Sequence, residues 1–120
     1  MKGVRFGIGL TLALTVVSHR LAAQNTEPVS GESVYKEECK SCHGLNGTPP
    51  ARERAKYKKL KTLGDSGFVV NLSVDSIVTI LKKGIDKNMK SFKDKLSEPE
   101  MRAVAAYTKE LAEKVKKEES

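Results

Sequence analysis

Both cysteines of the chain sit in one five-residue run, Cys39-Lys40-Ser41-Cys42-His43, beside one of its two histidines. Nothing else in the 120 residues limits the possible folds as strongly, because little else is available to hold a fold together. The chain opens on the basic stretch Met1-Lys2-Gly3-Val4-Arg5, followed by an apolar run from Phe6 to Val17. A polar break at Ser18-His19-Arg20 leads to Leu21-Ala22-Ala23, small enough for cleavage after Ala23. The apolar run is too short to cross a bilayer comfortably, and its flanks are those of a secretory signal. Residues 1–23 therefore read as a signal peptide, and residues 24–120 as one domain with flexible tails before about residue 29 and after about residue 114. No cysteine near the cut offers a lipid anchor, so the expected destination is the periplasm; tethering by an uncleaved signal is the lesser alternative.

The 97 residues beyond the cut hold no Trp, and their aromatics are Tyr35, Tyr57, Phe68, Phe92 and Tyr107. A domain so short, with so few large side chains, needs a disulfide, a metal or a bound group to hold it. Lys2, Arg5 and Arg20 leave with the signal, which lowers the net charge from +7 to +4. That mild excess has none of the Arg-rich, aromatic-interleaved character of a nucleic-acid-binding face, and export also argues against such a partner.

Several chemistries use a C-x-x-C pair. A disulfide across two residues would constrain the unfolded chain very little. A thioredoxin-like redox pair requires a βαβ setting, whereas the flanking sequence here is helical. A zinc site wants two further ligands, and His19 leaves with the signal, so only carboxylates without recognisable spacing remain. The reading that uses every residue of the run is covalent haem attachment, for which C-x-x-C-H is the motif. On one turn of helix Cys39 and Cys42 stand at i and i+3, so both sulfurs reach the same porphyrin edge, and His43 projects toward the iron. A non-haem disulfide or metal protein is the plain alternative.

The sequence resembles the small monohaem class I c-type cytochromes over most of its length beyond the signal. The likeness runs through Gly31-Glu32-Ser33-Val34-Tyr35 into the Cys39–His43 motif and Gly44, then through Met89-Lys90-Ser91-Phe92 and Leu96 to Tyr107. It implies an all-α cytochrome c-like fold in which the N- and C-terminal helices pack together around one covalently bound haem c. It also implies thioether bonds from Cys39 and Cys42 and an axial iron bond from His43. Met89 and Met101 are the methionines beyond the signal. Met101 falls in the first turns of a strongly patterned helix and reads as core, whereas Met89 lies in a polar loop that core filling explains poorly. The family's ligand methionine lies in the corresponding place, so Met89 is expected as the second axial ligand. Two departures stand out: Lys90 follows Met89 where the family usually has proline, and Pro49 and Pro50 come early for the segment whose carbonyl orients the histidine.

Helical patterning supports the all-α reading. Ser30 or Gly31 can cap a first helix carrying Tyr35, Cys39 and Cys42 on one face. A weakly patterned helix is expected over residues 51–63. Ser73 opens a cleaner one, with Val74, Ile77, Val78 and Leu81 at i, i+3, i+4 and i+7 and Gly84 at its end. The final helix starts with a Ser97/Glu100 capping box and carries Val104, Ala105, Thr108, Leu111, Ala112 and Val115 as its inner stripe. Ala103, Ala105 and Ala106 would let another helix approach closely. No strand alternation or internal repeat appears.

A haem held by His and Met has no open position for substrate, and no triad, paired-carboxylate or phosphate-loop constellation occurs elsewhere. The expected function is single-electron carriage, not enzymatic catalysis. Lysines point to acidic redox partners: residues 52–61 carry a local charge of +5 and residues 82–95 one of +4. If the second stretch surrounds Met89, its lysines, Lys87 and Lys93 among them, ring the haem edge. Two further readings stay open, a haem enzyme or gas sensor with a labile sixth position, and an electron-accepting subunit of a periplasmic dehydrogenase complex.

Overall fold

Every regular element is a helix in the computed structural model, which describes Gly3, residues 27–118 and Ser120. Apart from Gly3, the predicted signal and its cut lie outside the described residues. The helices are α1 (Gly31–Glu38), α2 (Lys40–His43), α3 (Ala51–Lys56), α4 (Phe68–Asn71), α5 (Val74–Lys83) and α6 (Glu98–Glu118). A single turn of 3-10 helix, Asp65–Gly67, leads into α4. No strand forms among the described residues; the one bridge of β type joins Ile85 to Met89 within a loop.

The caps explain where the helices begin. Ser30 accepts the Ser33 N–H at 3.2 Å and Ser73 the Ser76 N–H at 3.0 Å, each satisfying a first-turn donor. At Ser97 the expected box is complete: Glu100 accepts the Ser97 N–H at 2.7 Å, and Ser97 accepts the Glu100 N–H at 3.4 Å. From there α6 runs through Glu118, past residue 114 where the expected tail began, and Val115 is buried on it.

α1 crosses α6, as expected of the N- and C-terminal helices. The crossing is close because Gly31 meets the Ala103 backbone, and a Cβ at residue 31 would lie 2.1 Å from the Ala103 carbonyl oxygen. Beside it Tyr35, Val104 and Ala105 are almost wholly buried, and the Tyr35 and Tyr107 rings stack tilted at 5.4 Å. Ile77, Val78 and Leu81 of α5 complete this core, and Met101 lies in it at 3% exposure, as its helical position predicted.

Two expectations need correction. The first helix does not continue through the motif: Cys39, at φ −113°, ends α1 and begins the short α2. The helix expected over residues 51–63 stops at Lys56, where Tyr57 turns to extended backbone. Its apolar residues form no single stripe, so packing does not extend it. Tertiary pairing takes over instead, with the Leu63 N–H bonded to the Gly47 carbonyl at 2.9 Å. The 3-10 turn and α4 had no signal in the sequence. They are held by α6, whose Lys109 ammonium donates to the carbonyls of Val70, at 2.9 Å, and Leu72.

Candidate haem site

The attachment run reaches the site from α1 and α2. The His43 N–H bonds the Cys39 carbonyl at 2.9 Å, closing one helical turn between the two cysteines and the histidine. Both thiols are free and half-buried. Burial first, then the charges of Glu38 and Cys42, push the Cys39 thiol up to about 11, so the free side chain stays protonated near neutral pH. The turn is fixed from behind by Tyr35, whose hydroxyl donates to the Gly44 carbonyl at 2.8 Å. Burial raises the Tyr35 phenol well above its ordinary range, so it remains a donor.

Met89 reaches the same cavities on the loop after α5. Ile85 and Met89 exchange both backbone bonds, at 2.8 and 3.1 Å, with Asp86 in the left-handed region at φ 50°. Beyond Met89 the loop is sewn to the end of α5: the Phe92 N–H bonds the Leu81 carbonyl at 2.8 Å, and the Ser91 hydroxyl donates to the Lys82 carbonyl at 2.5 Å. Gly84, at φ 74°, lets this segment pass, since a Cβ there would stand 2.4 Å from the Met89 oxygen. These contacts restrain the loop at the place where Lys90 stands instead of proline.

Two cavities of about 110 and 490 Å³ lie between these segments. Cys39, His43, Ile85 and Met89 line both, and Cys42 lines the larger. Together they have the size and apolar lining of a cofactor pocket. The smaller is walled by Phe68, Val69 and Leu72 from the α4 segment and by Ile77, Ile80 and Leu81 from α5. The larger is edged by Tyr57, Lys59 and Leu60, and by Lys90, Phe92 and Lys95. Sequence reasoning missed the α4 wall, Ile85 and the Tyr57–Leu60 edge. Large apolar residues left exposed, Phe68 at 59% and Ile85 at 47%, would have been their only signal, and that is a property of the fold.

The residues present fit a haem. His43 Nδ1 is buried without a hydrogen-bond partner, so among the described residues no carbonyl fixes the ring through that nitrogen. Burial lowers the His43 pKa, which favours the neutral imidazole that a metal binds. Neither proline carbonyl named above orients it. The Pro49 oxygen accepts from Arg54 at 3.0 Å, and the Pro50 oxygen accepts the backbone N–H groups of Glu53 and Arg54. The donor set around the cleft is two thiols, one imidazole and one thioether, and among the described residues no cluster of three His, Cys, Asp or Glu competes as a metal site.

An all-helical fold with a C-x-x-C-H turn facing an apolar cleft defines a c-type cytochrome. The comparisons agree. The family described as cytochrome C oxidase, cbb3-type, subunit III matches residues 26–107, and the chain belongs to this cytochrome c family. A Cytochrome c6-like protein of Nostoc sp. (strain PCC 7120) is 40% identical over 92 residues, which cover 77% of this chain and 76% of that protein. A solved c-type cytochrome has the same fold, with a TM-score of 0.61 at 24% identity over 69% of this chain and 98% of that one. The cofactor is accordingly covalent haem c with its iron, and the role is haem-based electron transfer and not enzymatic catalysis.

Proposed function

We propose that this chain is an exported, monohaem electron carrier of the periplasm, with Cys39 and Cys42 as the haem thioethers and His43 and Met89 as the axial iron ligands. The observation that carries the reading is that His43, from α2, and Met89, from the loop after α5, line the same two cavities together with Cys39. When bound, the haem supplies an iron centre that takes up and releases one electron. The chain's own contribution is to hold that centre. The Tyr35 hydroxyl braces the attachment turn, and the Ile85–Met89 bridge braces the loop that carries Met89. Apolar side chains from α4 and α5 keep water from the ring and favour a high reduction potential.

Partner recognition follows from the lysines at the mouth. Lys82 pairs with Glu98 and Lys95 with Glu38, each at 2.5 Å, whereas among the described residues no ion pair engages Lys59, Lys87, Lys90 or Lys93. Lys59 and Lys90 both line the larger cavity. These free ammonium groups would draw an acidic redox partner toward the haem edge in a short-lived, salt-sensitive complex. No helix among the described residues is long and apolar enough to cross a membrane.

The test of attachment is haem staining after denaturing electrophoresis of protein matured in a bacterial periplasm. The wild type should retain haem through denaturation. Cys39→Ser with Cys42→Ser should lose it entirely, and retention by that double variant would contradict the reading.

A further inference from the structure

Two segments far apart in the chain meet at the mouth of the larger cavity. Glu38, the residue before Cys39, is the last of α1; Lys95 belongs to the turn that follows the methionine loop. Their side chains form an ion pair of 2.5 Å, and both line the larger cavity beside Met89. The Glu38 side chain is only 17% exposed, although Lys95 is 63% exposed. The backbone that carries Lys95 is held by hydrogen bonds. Its N–H and that of Leu96 both bond the Phe92 carbonyl, at 3.0 and 2.9 Å, and Phe92 is itself bonded to the end of α5. Leu96 is buried in the core. A force on Lys95 therefore reaches the loop that carries Met89.

From this arrangement we infer that Glu38 and Lys95 form a latch across the cleft, a positioning pair that holds the Met89 loop against the attachment turn. The latch limits how readily an outside ligand takes the sixth position of the iron. The inference rests on the reading of Met89 as axial ligand. The loop's other restraints, the Ile85–Met89 bridge and the bonds of Ser91 and Phe92, all tie it back to α5 or to itself. Among the described ion pairs, Glu38–Lys95 is the one that ties it to the segment bearing the cysteines. The same pair withdraws Lys95 from the free ammonium groups at the mouth, so Lys95 and Lys90, though near in sequence, have different tasks. An ion pair with one partly shielded member and one exposed member shifts an equilibrium only modestly, and salt weakens it.

The experiment measures carbon monoxide affinity of the reduced holoprotein, with the far-red absorption of sulfur-bound ferric haem as a second readout. Lys95→Met and Glu38→Gln should each raise the affinity by about twofold to fivefold. The double variant should do no more than either single one, because both remove the same interaction. Wild type in 1 M salt, where the Debye length is about 3 Å, should move the same way, and Lys95→Met should then respond less. Met89→Ala is the control for the underlying reading and should abolish the far-red band. If Met89→Ala responds while Lys95→Met and Glu38→Gln match wild type, the latch is overturned alone. Additive effects of the two single variants would also overturn it. A far-red band that survives Met89→Ala would overturn the ligand reading, and the latch with it.

Discussion

Gly31 shows how one residue sets the crossing of α1 and α6. It stands in the first turn of α1, where glycine costs helix stability, yet any side chain there would run into the Ala103 carbonyl at 2.1 Å. The stripe of alanines on α6 was readable as a surface of close approach, but the glycine that uses it was not, because the contact joins opposite ends of the chain. Gly31→Ala should push α1 off α6 and cost about 1–3 kcal/mol, typical of overpacking. For a domain of this size each kcal/mol lowers the thermal midpoint by about 4–8 °C, so calorimetry would detect it; an unchanged midpoint would contradict the close crossing. Cys39, Cys42 and His43 were legible for the opposite reason. The attachment proposed for them needs them on one turn, so the whole constellation is written in contiguous residues.

At the scale of elements, legibility tracked the source of each helix's stability. α5 and α6 carry their own caps and apolar stripes, and their starts fall where Ser73 and Ser97 indicated. Residues 51–63 lack such a stripe, and most of that stretch is not helical. α4 is held by Lys109 from a distant helix, which no local pattern could reveal. The α6 cap also carries a pH signature. The Ser97 hydroxyl, and then its N–H, hold the exposed Glu100 carboxyl below its ordinary 4.5. A carboxyl with a lowered folded-state pKa adds stability above its unfolded value, and that stability is lost as pH falls through the folded one. Thermal midpoints of wild type and Glu100→Gln should therefore differ most near pH 6 and converge toward pH 3. A gap that stays constant over that range would rule out the charged cap.

Over the whole molecule, the cleft is assembled from separate stretches of the chain: the attachment turn, the 57–60 edge, and the run of α4, α5 and the Met89 loop. The apolar content that looked too thin for a core is arranged around it, which is why the composition called for a bound group and the fold makes a place for one. Charge is arranged on the same scale. Glu32 and Lys36 pair within α1, whereas Lys59 and Lys90 face the mouth without acidic partners among the described ion pairs. Reversing both to Glu should slow electron exchange with an acidic partner at low ionic strength by about tenfold or more. The difference should vanish when salt shortens the Debye length to a few ångströms. A low-salt rate equal to wild type would dismiss the docking surface while leaving the haem site untouched.

The central claim, a haem closed on both faces by His43 and Met89, is tested most directly by absorption spectra of the exported protein. They would be taken oxidised, reduced, and reduced under carbon monoxide. Sharp low-spin bands on reduction, a weak far-red band on oxidation and little response to the gas are expected. A high-spin spectrum that shifts fully under carbon monoxide would contradict the claim and point instead to an open iron site.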